Sequence, residues 1–234
     1  MHYKAIILVI YSETLDVYKE MNRQSNLYYS MFSDDIKVFY ITFRENQEEE
    51  IAEYGHFLYL RGTESFKPGI IIKTMKSIEY INNQYSYDYV VRTNVSTIID
   101  CKNLLNHLNT IPSKNYTGGF VIFDSFYSGI FILFSEDMAK IMSSIDLQKE
   151  NIHGEMDDVL IMQMIKAQGL SVFDITNTKY RIEYCTSGII SQHNDISENI
   201  EKYENVLCYR IRNDIDRQID LQYFDKIYKR LSAL

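Results

Sequence analysis

Two adjacent carboxylates, Asp157 and Asp158, stand in the stretch GEMDDV, directly ahead of an apolar helical pattern. Carboxylates in the first turn of a helix feel the positive end of its dipole, which lowers their pKa and keeps them ionised. Two like charges side by side oppose that effect and raise one of the two. An ionised carboxylate in a cleft can take a proton from a hydroxyl nucleophile, and such general-base help is worth ~10²–10⁴-fold. The plain alternative is a pair of capping carboxylates. Cations able to meet an anion are Lys73, which is followed by Thr74, then Arg92, and the arginines of CYRIRNDIDR. Alternation along 208–212 puts Arg210 and Arg212 on one face of a strand, a pairing suited to bidentate phosphate contact. Each cation has a bland reading as a surface charge, and Arg210, Arg212 and Arg217 as a ladder against Asp214, Asp216 and Asp220. His193, in SQHND, is a candidate metal ligand or phosphate donor, although a lone loop histidine is usually neither. Tyr127, Ser128 and Gly129 precede an apolar run. There a tyrosine can stack on a sugar while glycine lets the backbone approach closely, or the segment is a turn with a packed aromatic.

Composition limits what such groups can serve. The chain has 234 residues, 46% of them hydrophobic, which is enough for a full core and too apolar for disorder. A formal net charge of -8 argues against a general nucleic-acid binder but leaves room for a local basic pocket. There are 20 Tyr, 12 Phe and no Trp. Tyrosine's apolar ring and polar tip suit sugar-like ligands as well as ordinary packing. The three cysteines, Cys101, Cys185 and Cys208, are widely spaced and form no CxxC pair, which argues against zinc and for a reduced compartment. The run Ala5 to Ile10 is too short to span a membrane and carries no cleavage signal, so a cytoplasmic location is expected.

The elements that must position these residues follow from the pattern. Tyr3 to Tyr11 is a near-continuous apolar run, as expected for a strand covered on both faces. Ser12 is placed to cap a helix over 13–29. Strands are expected at Ile36 to Phe43, Phe57 to Leu60 and Tyr87 to Arg92, with a helix from Ile70 to Asn82 opened by Pro68-Gly69. The acidic run Glu48 to Glu50 reads as solvated. This order, strand, helix, strand, strand, helix, strand, is that of an open sheet with helices on its faces. Ligands of such sheets bind at the carboxyl ends of strands beside a switch point, here the ends marked by Tyr11, Ser12 and Arg92 to Ser96. Further on, Asp100 caps a helix. Strands are expected at Gly119 to Phe123, Ile130 to Phe134 and Ser171 to Ile175, with helices from Ser135, from Asp157 to Gln168 and from Arg217 to Leu231. No repeat or linker divides the chain, so a single domain is expected, residues 1–100 forming a nucleotide-side half and 101–234 an acceptor-side half.

Three segments in this order resemble GT-A fold glycosyltransferases, and among them the family-thirty-one β-1,3-galactosyl/N-acetylglucosaminyltransferase and Fringe group. They are KPGIIIKTMKSIEYINNQYSYDYVVRTNVSTIID, SFYSGIFILFSEDMAKIM and MDDVLIMQMIKAQGLSVFD. The resemblance implies a Rossmann-like open mixed sheet flanked by helices, and an inverting transfer of sugar from a nucleotide-sugar donor, a UDP-sugar, to a glycan or other hydroxyl acceptor. It gives Asp158 the base position and Asp157 a part in binding the acceptor or orienting the base. The Asp triplet that holds Mn²⁺ or Mg²⁺ in the family falls on Asn94, Val95 and Ser96. Those positions offer only neutral oxygens where a hard cation wants anionic ones. No metal, or only a weakly bound Mn²⁺ or Mg²⁺, is therefore expected. Tyr11, Ser12, Lys73, Arg92, Asn94, Ser96, Arg210 and Arg212 are expected around the donor, and Tyr127, Ser128 and Gly129 around the acceptor. The rival reading is an inactive relative that binds a glycan or a protein.

Overall fold

The computed structural model describes residues 1–150, 152–187, 204–213 and 215–233. His193 and Asp214 lie outside the described residues. The central strand β1, His2–Ile10, pairs in parallel with β2, Ile36–Arg44, on one side and β5, Ser86–Asn94, on the other. Beyond β2 lie β4, Phe57–Arg61, and the short antiparallel edge strand β3, Ile51–Tyr54. Beyond β5 lie β8, Phe126–Ser135, β7, Thr117–Ile122, and the two-residue β9, Phe173–Asp174. β8 runs antiparallel to both β5 and β7. The result is one eight-stranded mixed sheet.

Alternate residues of β1 supply two different cores, which is why this strand reads as an apolar run. Ala5, Ile7 and Val9 face a core built with helices α1, Asp16–Tyr29, α3, Cys101–Leu108, and α6, Arg217–Ala233. Ile6, Leu8 and Ile10 face one built with α2, Gly69–Gln84, α4, Glu136–Ser143, and α5, Asp157–Ala167. Side chains of successive strand residues point to opposite faces, so the sheet is sandwiched between two helical layers.

A second sheet grows from the carboxyl end of β5. After a turn at Val95 and Ser96, β6, Thr97–Ile99, pairs antiparallel with β11, Val206–Asn213, which pairs in parallel with β10, Arg181–Ser187. Two tyrosines of α1 secure this junction. The Tyr29 hydroxyl accepts from Ile99 N at 3.0 Å and the Tyr28 hydroxyl from Cys101 N at 2.9 Å. Both backbone donors are buried, so without these hydroxyls they would lack partners at several kcal/mol in gross terms. The three cysteines are buried and none is in a disulfide.

Several expectations need correction. Ser12 does not cap α1, which begins at Asp16; its hydroxyl accepts instead from Thr14 N at 3.3 Å in a local turn. The strand expected from Ile130 starts four residues earlier, at Phe126, so Tyr127 to Gly129 are strand rather than loop. Strands β3, β6 and β10 were not expected from the pattern. Asp100 does cap α3, accepting from Asn103 N at 3.0 Å. Asp100→Ala is expected to cost about 1 kcal/mol in urea unfolding. Asp100→Asn keeps an acceptor at the cap and should fall closer to wild type.

Candidate functional site

A cleft of about 1370 Å³ opens over the carboxyl ends of β1 and β5. The chain leaves β1 toward β2 on one side and reaches β5 on the other, so this is the topological switch point of the sheet. Tyr11, Ser12, Lys73, Arg92, Asn94, Ser96, Ser128, Gly129, Asp157, Asp158, Arg210 and Arg212 all line it. Of the residues expected from sequence, Tyr127 does not. It is fully buried in the core beneath α5, where its hydroxyl donates to Thr117 O at 2.9 Å and accepts from Phe173 N at 2.9 Å. It packs the core and is no wall for a sugar.

One wall is organised by Arg92. Its guanidinium is only 3% exposed and donates to the Gly129 carbonyl and to Asp157, which stands 12% exposed at the first turn of α5. Gly129 makes this contact sterically possible, since a Cβ there would lie 2.7 Å from Arg92 Nη1. The pair ties β5, β8 and the α5 N-terminus together. It also separates the two carboxylates by role. Asp157 is ion-paired, whereas Asp158, among the described residues, accepts only from backbone amides, Val159 N at 2.9 Å and Gly129 N at 3.4 Å. Burial, and then the neighbouring Asp157 charge, raise the Asp158 pKa; Arg92 and the two amides pull the other way without prevailing. The sequence placed these residues at a helix start, where the dipole keeps carboxylates ionised. Desolvation outweighs that here, because the helix start faces a partly covered cleft.

Lys73 is buried, not a surface charge. Its ammonium donates to Tyr11 O at 2.7 Å and to both oxygens of Glu64, at 2.7 and 2.6 Å. Burial lowers its pKa, and Glu64 partly restores it. Neither Lys73 nor Arg92 therefore presents an uncommitted charge to the cleft.

The charge that does face the cleft is Arg210. Its Nη1 donates to Asn94 Oδ1, to Ser96 Oγ and, at 3.5 Å, to Thr97 Oγ1. All three are neutral oxygens. Asn94 Oδ1 also accepts from Thr97 Oγ1 at 3.0 Å and Ser96 Oγ at 3.3 Å, while Asn94 Nδ2 donates to Gly129 O at 3.3 Å. Burial, then Arg212 and Arg217, bring the Arg210 pKa down to about 10. Arg217 pairs with the fully buried Asp220 at 2.9 Å.

A divalent cation does not fit this constellation. The oxygens of Asn94 and Ser96 already accept from a guanidinium, which would repel it, and both are neutral. Among the described residues no group of three or more His, Cys, Asp or Glu side chains could hold a metal.

Sequence reasoning missed Glu64, and also Tyr18, Phe66, Phe123, Met156 and Tyr184, which line the cleft. Tyr18 lies in the first turn of α1, Tyr184 in β10, and the others on connecting segments without periodicity to mark them. Phe123 and Asp124 carry positive φ angles of 50° and 54° at the tip of the β7–β8 hairpin, and Phe123 is 88% exposed.

No protein-family profile matches the sequence, and no curated protein matches it. Solved structures do. A glycosyltransferase involved in the glycosylation of the major capsid of PBCV-1 aligns with a TM-score of 0.54 at 10% identity, over 95% of this chain and 98% of that one. A Drosophila β-1,4-galactosyltransferase 7 mutant, complexed with manganese, UDP-Gal and xylobiose, aligns with a TM-score of 0.42 at 16% identity, over 76% of this chain and 66% of that one. The first likeness, end to end in both chains, shows the fold: this is a GT-A architecture. No helix among the described residues is long and apolar enough to cross a membrane.

Breaking the Arg92–Asp157 pair leaves a poorly solvated carboxylate. Arg92→Met is expected to destabilise the protein by about 3 kcal/mol in chemical denaturation. The double variant Arg92→Met/Asp157→Leu should recover most of that loss, because an apolar pair has no charge to desolvate.

Proposed function

We propose that the chain is an inverting glycosyltransferase that moves a sugar from a nucleotide-sugar donor, a UDP-sugar, to a hydroxyl acceptor without a bound metal. The observation that carries this reading is Arg210. It is a guanidinium at the floor of a switch-point cleft whose hydrogen-bond partners among the described residues are all neutral oxygens. A permanent cation so placed calls for an anion of the ligand, and a guanidinium matches phosphate oxygens in planar geometry. Arg212 lines the same side and adds to the field, while Arg217, also on that side, is paired with Asp220.

The chemistry follows from the two walls. Asp158 takes the proton of the acceptor hydroxyl. The hydroxyl oxygen forms its bond to the sugar's anomeric carbon from the face opposite the donor diphosphate. The bond from that carbon to the diphosphate oxygen breaks, and the electron pair leaves with the diphosphate, whose growing charge Arg210 meets. A fixed charge aimed at where charge develops stabilises the transition state without reorganising. Asp157, held by Arg92, keeps the head of α5 in register with Gly129 and so positions Asp158. The raised Asp158 pKa suits a base that must accept a proton and release it. Arg92 and Lys73 act in this reading as positioning residues rather than phosphate ligands. Ser128 and Gly129 lie beside the acceptor, with the exposed Phe123 and Met156 at the rim.

The test is a mass-detected screen of nucleotide sugars with and without EDTA. Transfer or donor hydrolysis should proceed equally in both conditions. Loss of activity in EDTA would overturn metal independence. Absence of any donor binding would overturn the reading itself. Arg210→Met should weaken donor binding at least tenfold, the scale of one lost charge-assisted hydrogen bond.

Asp158→Asn separates function from stability. Turnover should fall ~10²–10⁴-fold with donor affinity retained. The same variant should be more stable than wild type at neutral pH. A carboxyl whose folded pKa is raised above its ordinary 3.8 stabilises the fold only while protonated. That contribution is complete below the unfolded value and is lost as pH rises through the folded one. Asn stays neutral throughout, so its advantage should vanish below about pH 3.8. A fully active Asp158→Asn protein would exclude Asp158 as the base and favour a binding module.

A further inference from the structure

The cleft is electrically uneven. Opposite the arginine side, Glu64 reaches in from the segment between β4 and α2, with its side chain 26% exposed. One carboxylate oxygen is saturated. Oε1 accepts from Thr42 Oγ1 at 2.8 Å, Phe43 N at 3.0 Å and Lys73 Nζ at 2.7 Å. The other, Oε2, accepts from Lys73 Nζ alone among the described residues, at 2.6 Å. A carboxylate oxygen has room for two hydrogen bonds, so Oε2 keeps acceptor capacity on the cleft side.

The Lys73 ammonium cancels the charge of Glu64, so this end attracts neither a free cation nor an anion. What it can take is a neutral hydrogen-bond donor, and a bond to an ionised acceptor is a strong one. The three donors on Oε1, together with the anchoring of Lys73 to the Tyr11 carbonyl, fix the carboxylate in place before any ligand arrives. Nothing then has to be ordered on binding.

Register gives the distance between the two ends. Tyr11 N donates to Ile41 O at 3.0 Å, and Val95 N donates to Ile10 O at 3.0 Å, so the ends of β2, β1 and β5 are level. Glu64 sits on the end of β2, and Asn94 with Arg210 on the end of β5, two strand spacings or about 10 Å apart. A ligand that satisfies both ends carries neutral hydroxyl donors at one extremity and a polyanion at the other. A nucleoside diphosphate offers both groups, vicinal hydroxyls on its ribose and, beyond the 5′ carbon, its phosphates.

We propose that Glu64, held by Lys73, Thr42 and the Phe43 amide, is the residue that reads the donor's ribose by accepting hydrogen bonds from its 2′,3′-diol. The inference rests on the cleft being a nucleotide-sugar site. A vicinal diol also occurs on the transferred sugar, and the experiment separates the two sources.

The experiment is calorimetric titration of the wild-type protein, and of the double variant Glu64→Gln/Lys73→Met, with UDP, 2′,3′-dideoxy-UDP and a UDP-sugar. The double variant removes both charges of the buried pair together, and a cooperative thermal unfolding transition is the check that it is folded. The wild type should bind UDP roughly ten- to a hundredfold more tightly than the dideoxy analogue, the scale of one charge-assisted hydrogen bond or slightly more. The variant should bind both with the weaker affinity. Equal wild-type affinity for UDP and its dideoxy analogue overturns the proposal, and this arm needs no variant to fold. So does a variant that still prefers UDP by the wild-type factor. A dependence on Glu64 that appears with the UDP-sugar but not with UDP gives the carboxylate to the transferred sugar, and overturns it too. If the wild type binds none of the three, the nucleotide-sugar reading fails and takes this inference with it.

Discussion

The site depends on one buried ion pair. Arg92 stands on a core strand, at a position where a guanidinium can reach no bulk water, so its charge requires a partner inside the protein. That partner is Asp157, at the first turn of α5, with the Gly129 carbonyl taking a second donor. Three elements distant in sequence are thereby drawn to one point: the end of β5, the start of β8 and the head of α5. The consequence for chemistry is a division of labour. Of two adjacent carboxylates, one is tied down by the guanidinium and the other stands against the cleft, accepting from two backbone amides. A pair in solution would share these roles; here the geometry assigns them.

The same logic governs the second buried cation. Lys73 holds the end of β1 through the Tyr11 carbonyl and the end of β2 through Glu64. The strand ends that form the cleft floor are thus cross-braced by charges that are neutralised internally. Braces of this kind cost desolvation energy, and well-packed apolar residues would serve stability as well or better. Their presence at the cleft fits a requirement for fixed geometry there.

Much of the architecture was legible because it rests on local signals. β1 and the first part of β5 announce themselves as apolar runs, α3 by its Asp100 cap, and the last helix by its amphipathic period. The short strands β3, β6 and β10 were not legible, because a strand of three or four residues gains its stability from neighbours far along the chain. Tyr127 was misplaced for a related reason. Its hydroxyl is taken up by Thr117 O and Phe173 N, and Phe173 stands 46 residues away in a two-residue strand that no local pattern announces. Lys73 and Arg92 were found as residues, but their partners could not be. An ion pair between positions 92 and 157, or 64 and 73, is a property of the folded chain. Glu64 lies in GTESFKPG, a stretch without period or motif, and only its hydrogen bonds to the end of β2 mark it.

Asn94 and Ser96 offer neutral oxygens at the end of β5, and neutral oxygens are poor ligands for a hard cation but good ones for a guanidinium. Arg210 uses them through its hydrogen bonds to both. An arginine is never deprotonated at physiological pH, even with its pKa brought down to about 10. Its charge is also independent of metal supply. The limitation lies in charge density, since one delocalised guanidinium concentrates less field than a divalent ion. In the proposed reaction Arg212, on the same side of the cleft, answers part of that deficit, and its repulsion with Arg210 is what an arriving diphosphate would relieve.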